Sequence, residues 1–305
     1  MKCSKYQFAT ILSITLMFVG SARAAEPAPE ATTHVIVTAE ARKGGSPPAI
    51  RQGDVMMYQK RDRLPVSTVQ PLAGSPTELY VAVDEAIGTS FGTQLPDVKK
   101  FITGQPASVA VGVAYLHDGT VSILQKPTTD HVAAAKTLRL PTPGVGISVF
   151  ESIVDLVKQW PETQARREMV LISSGIEPYG PTSFSNPYVD EAVATVQKQG
   201  IPVFAIYLRP GGHWGHTSWR TMFAQAYLSQ LGDESGGEGY NLSGVVVVTI
   251  GPFLDKINRR LQNQYRVAFT PNPPEKPGFV PIRATTEVPN VDLVTQDRVW
   301  VGGAE

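Results

Sequence analysis

Three apolar runs that break off into small and polar residues constrain this chain most: LYVAVDEAIGTS (Leu79 to Ser90), PGVGISVFESI (Pro143 to Ile153) and REMVLISSGIE (Arg167 to Glu177). A continuous apolar run marks a strand buried on both faces, as in a parallel sheet covered by helices. Each segment therefore reads as backbone arriving at the rim of an α/β sheet, the edge outside the strand carboxyl ends where such sheets bind ligands. At that rim the sequence offers one carboxylate, Asp84, with Ala86, Gly88, Ile147 and Ser174 near it.

From Glu78 to Gln262 strand and helix patterns alternate. The runs ELYVAVD, SVAVGVAYL, EMVLIS and PVFAIYL read as strands, and EGYNL as a weaker one. HDGTVSIL, with Asp118-Gly119 at its tip, predicts a hairpin to an edge strand. LPDVKKFI is amphipathic and reads as a helix, and further helices are predicted at Thr129 to Thr137, Ser148 to Trp160, VDEAVATVQKQG, SWRTMFAQAYLSQLG and PFLDKINRRLQ. In the last of these, Arg259 and Arg260 read as a solvated basic pair. On either side the periodicity is that of β structure: HVIVTAEA, DVMMYQK and LPVSTVQPL precede, and QYRVAFTP, GFVPIRATTEV and VDLVTQDRVWV follow as three strands.

The economical arrangement is an α/β domain, a central mostly parallel sheet flanked by helices, inserted into a small β domain formed by both ends. The expected boundaries are 34–74 for the N-terminal β segment, 75–263 for the α/β domain and 264–305 for the C-terminal β segment. Residues 1–24 carry Lys2 and Lys5 before an apolar run and Ala22-Arg23-Ala24 after it, the pattern of a cleaved secretory signal peptide. A Pro/Ala/Glu linker, 25–33, follows. These features predict a secreted, periplasmic protein with no membrane span after cleavage.

The only cysteine, Cys3, falls in that leader. A mature chain without thiols excludes disulfides, thiolate metal sites and cysteine nucleophiles. With Lys2, Lys5 and Arg23 removed, 24 basic residues face 27 acidic ones, a net charge of −3 that gives no electrostatic case for nucleic acid or an anionic membrane.

The order of elements, with YVAVD, ISVFESIVDLV, RREMVLISSG, VQKQGIPVFAIYL and LGDESGGEGYN, resembles the von Willebrand factor A domain in its secreted bacterial, VWFA-related branch. The flanking segments HVIVTAEARKGGSPPAIRQGDVMMYQK and YRVAFTPNPPEKPGFVPIRATTEV match that branch too. The resemblance implies a Rossmann-like fold, protein recognition and a metal-ion-dependent adhesion site built from D-x-S-x-S, a Thr and a second Asp. Asp84 matches the first Asp. Ala86 and Gly88 stand at the two Ser positions, Ile147 at the Thr and Ser174 at the second Asp, so the site is expected to be degenerate and no cofactor is expected.

Side chains one apart on a strand point to opposite faces, so Asp84 and Glu85 do not chelate one ion together. Asp84 is instead expected to cap a nearby backbone turn. Ser173-Ser174-Gly175 lacks the G-x-S-x-G elbow of a hydrolase. His213 and His216 fall short of a zinc site, which takes three or four ligands. The loops GIEPYGPTSFSNPY and PGGHWGHTSW follow neighbouring strands to the same rim and bring Tyr179, Phe184, Tyr188, His213, Trp214 and Trp219, the residue types in which interface energy concentrates.

The expectation is a non-enzymatic protein-interaction module that binds an envelope protein without a metal. Two alternatives are adhesion through a remodelled Mg²⁺ or Ca²⁺ site at Asp84, using Thr89 or Ser90 and Ser174, and a periplasmic hydrolase using Ser174 with His213 or His216. A structural spacer role is a third.

Overall fold

A computed structural model describes residues 32–142, 148–177, 180–181, 183–210, 218–240 and 247–302. The central sheet contains β5 (Thr77–Asp84), β6 (Val109–His117), β7 (Thr120–Thr128), β8 (Arg166–Ser173), β9 (Val203–Tyr207) and β10 (Glu238–Tyr240). Its order is β10-β9-β8-β5-β6-β7, parallel throughout except for the edge strand β7. Counted from β5, this is the doubly wound order 3-2-1-4-5-6.

Alternation along β5 explains why its run is apolar without a break. Leu79, Val81 and Val83 pack on one face with α1 (Leu95–Thr103), α2 (His131–Lys136) and α6 (Gly251–Gln262). Tyr80 and Ala82 pack on the other with α3 (Val149–Gln159), α4 (Pro187–Lys198) and α5 (Ser218–Glu234). Both faces exclude water, so no position in Leu79–Val83 tolerates a charge.

The remaining strands are β1 (Thr33–Ala41), β2 (Met56–Gln59), β3 (Asp62–Leu64), β4 (Val66–Pro71), β11 (Gln264–Phe269), β12 (Gly278–Thr285), β13 (Val291–Thr295) and β14 (Arg298–Val301). They form two four-stranded sheets, β13-β1-β11-β4 and β14-β12-β2-β3. The sheets share one core that includes Val35, Val37, Met57, Phe269, Ile282 and Val299.

Two local expectations are corrected. The run VDLVTQDRVWV is two strands in different sheets, not one. Gln296 is buried and its amide donates to Arg298 O at 2.7 Å, while Asp297 N donates to Glu234 O at 3.2 Å. These bonds draw the chain out of the first ladder towards the end of α5 before it enters the second. In the N-terminal half, a further strand, β3, lies between DVMMYQK and LPVSTVQPL and takes in the first residue of the latter, and the reversal before it falls on Lys60, whose φ of 56° puts it in the left-handed region.

At the base of the insertion Arg166 is buried and joins β8, β5, α6 and β11. It donates to Thr77 Oγ1 at 2.9 Å, to Leu261 O at 3.1 Å and to Gln264 Oε1. Glu168, fully buried, lies 3.5 Å from the Arg166 Nε. Burial pushes the Glu168 carboxyl up to about 8, against the pull of Arg166.

Candidate functional site

Parallel pairing sets Val83 of β5 opposite Ile172 of β8, which brings Asp84 level with Ser173 at the rim. Asp84 Oδ1 accepts from Ala86 N at 2.8 Å. Its Oδ2 accepts from Ser173 Oγ at 2.8 Å, Ser174 N at 3.1 Å and Ser174 Oγ at 3.1 Å. With 4% of its surface exposed, the carboxyl is raised in pKa chiefly by burial, and these four donors oppose the rise.

Of the other positions the sequence singled out, Ala86 contributes only its backbone N–H. Gly88 has φ 54° inside the 3₁₀ segment Glu85–Phe91, a conformation that disfavours a side chain. Ile147 lies outside the described residues. Glu85 turns away from Asp84 and pairs with Arg139 at 2.5 Å. The space beside Asp84, lined by Ala86, Leu116, His117, Asp118, Val149 and Ile176, is about 10 Å³. That is room for one water molecule. Among the described residues no group of three His, Cys, Asp or Glu is placed to hold a metal ion.

A second buried carboxyl stands in the loop after β8. Glu177 faces the start of α3, where the Phe150 N–H and the Ser148 hydroxyl favour its charged form. Burial outweighs them, and proximity to Asp84 adds to it, so the group is pushed up to about 7. The Glu177 Oε1 has no hydrogen-bond partner among the described atoms. Sequence reading passed over this residue although it ends the third rim segment.

The rim also carries an aromatic surface. Phe184, Trp219 and Tyr188 are exposed by 63%, 41% and 37%. Phe184 meets Phe223 edge-on at 4.9 Å, and Trp219 meets the same ring at 6.1 Å. Phe223 stacks on Tyr227 at 6.3 Å, and Tyr227 meets the buried Phe150 at 6.0 Å. The ladder thus runs from the surface to the core. Residues 219, 223 and 227 are spaced by four, which places them on one stripe of α5. Phe223 and Tyr227 are the members that sequence reading missed, and that i, i+4 spacing was the signal.

The loop is fixed to this stripe at further points. The Tyr227 hydroxyl donates to Pro181 O at 3.2 Å and to Ser183 O. Gly175, with φ 62°, lies so near α5 that a Cβ there would come within 2.7 Å of Ala224 O. Asn186 caps α4 by accepting from Tyr188 N at 3.0 Å. Tyr179, His213 and Trp214, as well as His216, lie outside the described residues.

No family model matches the sequence, and no curated protein matches it. Solved structures do resemble the fold. An aerotolerance-related membrane protein from Bacteroides fragilis is 14% identical, with a TM-score of 0.44, over 61% of this chain and 98% of that one. The vWF domain of the type V pili tip protein Mfa5 from Porphyromonas gingivalis is 11% identical, with a TM-score of 0.42, over 60% and 94%. The SpRpn10 VWA domain is 15% identical, with a TM-score of 0.39, over 60% and 95%.

The fold is a Rossmann-like, doubly wound α/β sheet with one antiparallel edge and helices on both faces, and the solved structures that resemble it include von Willebrand A domains. In this arrangement Asp84 sits at the end of the first strand of the sheet, and the aromatic ladder lies beside the fourth. Arg260, expected on a solvated face, is corrected: it is 6% exposed, donates to Gly237 O at 2.8 Å and pairs with Glu40 and Glu238. The face of α6 that carries it packs against β10 and β1, where those carboxylates wait. Among the described residues no helix is long and apolar enough to cross a membrane.

Proposed function

We propose that the chain is a secreted protein-recognition module of the von Willebrand A type that works without a cation. The observation that supports this reading most is the bonding of Asp84. A hard cation takes six or more oxygens, and Mg²⁺ holds them at about 2.0–2.1 Å in near-octahedral array. Here both carboxylate oxygens accept protein hydrogen bonds, and the serine hydroxyls beside them point their protons at the carboxylate. Ala86 brings no side-chain oxygen, and Gly88 has no side chain. The residues present do not fit the ion.

Recognition then falls to the aromatic surface on Phe184, Tyr188 and Trp219, braced by Phe223 and Tyr227. Aromatic anchors held rigid before binding lose little entropy on contact, and such residues dominate interface energies. The partner is a protein of the cell envelope that presents apolar side chains to this surface. The signal-peptide pattern of residues 1–24 supports the location. No catalytic step is assigned: the Ser174 hydroxyl donates to Asp84, and no described histidine is hydrogen-bonded to it.

The test is cross-linked capture from the native envelope, in EDTA and in Mg²⁺, with wild-type protein and with Phe184→Ala/Trp219→Ala. One protein captured equally in both buffers and lost with the double variant is the expected result. Capture that needs Mg²⁺, or that survives the double variant, overturns the proposal.

A further inference from the structure

The end of β1 and the last turns of α6 enclose a cleft of about 340 Å³, lined by Ala39, Ala41 and Pro47 together with charged and polar groups. Small-molecule sites begin at about 300 Å³. The glycine pair Gly44-Gly45 lines it with bare backbone, at φ 77° and 88°, and has no atom within 4 Å of where a Cβ would sit. No side chain from that wall narrows the mouth.

The cations in the cleft differ in what already holds them. Lys256 Nζ lies 2.6 Å from Glu238 Oε1, and Arg260 is held by Glu40, Glu238 and the Gly237 carbonyl. Arg259 is exposed, lines the same cleft and has no ion-pair partner among the described residues. A guanidinium offers five N–H donors in a planar fork that matches a carboxylate with two parallel bonds. Of the three cations that line the cleft, Arg259 is the one without an ion-pair partner among the described residues, and it stands next to a short apolar wall.

We propose that this cleft binds a small organic carboxylate, its charge against Arg259 and its aliphatic body against Ala39, Ala41 and Pro47. A free organic acid and the carboxyl end of a peptide share that chemistry. One uncompensated cation with an apolar wall suits a monoanion with a short chain better than a multiply charged phosphate.

The probes are sodium valerate, N-acetyl-dialanine, neutral valeramide and inorganic phosphate, titrated separately into the protein with amide shifts as the readout. Saturable shifts at Gly44 and Gly45 with valerate, with N-acetyl-dialanine or with both support the proposal, and the responding probe identifies the source. Arg259→Ala should weaken binding by about tenfold or more, the scale of a lost hydrogen bond to a charged group. Arg61→Ala, exposed in the β2–β3 hairpin, should leave it unchanged. Since Arg259 is exposed, its removal leaves the fold intact. No saturable shift with either acid, equal binding of valeramide or phosphate, or undiminished binding to Arg259→Ala overturns the proposal.

Discussion

The Ser173 hydroxyl of β8 donates to Asp84 Oδ2 of β5 at 2.8 Å, across the two central strands of the sheet. The same oxygen of Ser173 accepts from Gly175 N at 2.8 Å, so the rim loop is strung on the Asp84 carboxylate. Asp84→Ala would leave four buried donors without an acceptor. An unsatisfied buried donor costs about 1–3 kcal/mol, and partial relaxation brings the expected total loss to about 2–4 kcal/mol. Asp84→Asn keeps one acceptor and should lose less. Urea denaturation in EDTA checks both. A carboxylate kept for a missing ion would instead leave the ion-free protein as stable, or more so, when removed.

Glu177 makes stability depend on pH. Its folded value, about 7, lies above the ordinary 4.5, so the folded state holds the proton more tightly than the unfolded chain. The group's contribution is complete below the unfolded value and is lost as pH rises through about 7. Wild type should therefore lose stability relative to Glu177→Gln between about pH 5 and pH 8, and the difference between the two denaturation midpoints reads this one group. Equal slopes for the two proteins would contradict the burial of Glu177.

The aromatic ladder separates binding from folding. Phe184→Ala and Trp219→Ala remove exposed rings and should change stability by less than about 1 kcal/mol, while each costs about 2 kcal/mol or more in partner affinity. Phe223→Ala removes the ring both of them lean on and should lose about 1–3 kcal/mol of stability as well as binding. Thermal melts beside capture of the partner distinguish the two classes.

Arg166 and Glu168 test the junction between the α/β insertion and the sandwich. Arg166→Met leaves the buried acceptors Thr77 Oγ1, Leu261 O and Gln264 Oε1 without their donor and should cost about 1–3 kcal/mol, whereas Arg166→Met/Glu168→Leu, which also removes the neighbouring buried carboxyl, should recover part of that loss. Denaturation of the single and double variants gives the comparison.

The central sheet is legible in the sequence because burial on both faces leaves no polar residue between Leu79 and Val83, and because helices with one apolar stripe alternate with such runs. The split of 291–301 is not legible. The polar stretch Thr295 to Arg298 could be the exposed middle of one strand, and the bonds that divert the chain there reach Arg298 and Glu234, which no local pattern announces. At the rim, residue types place oxygen donors near Asp84, but the direction of each hydrogen bond depends on the register between β5 and β8. The meeting of Phe184 with Trp219 depends on a third residue, Phe223, which sits in a helix whose apolar and polar residues are interspersed around its axis. The burial of Arg260 similarly requires Glu40, more than two hundred residues away along the chain.

Whether the rim of Asp84 holds an ion is read most directly by titrating metal-stripped protein with Mn²⁺, followed by electron paramagnetic resonance, and with Mg²⁺ and Ca²⁺ by calorimetry. For a protein that recognises its partner without a cation, the free-ion signal rises in proportion to added Mn²⁺ and no heat saturates. A stoichiometric, saturable site abolished by Asp84→Asn would contradict cation-free recognition.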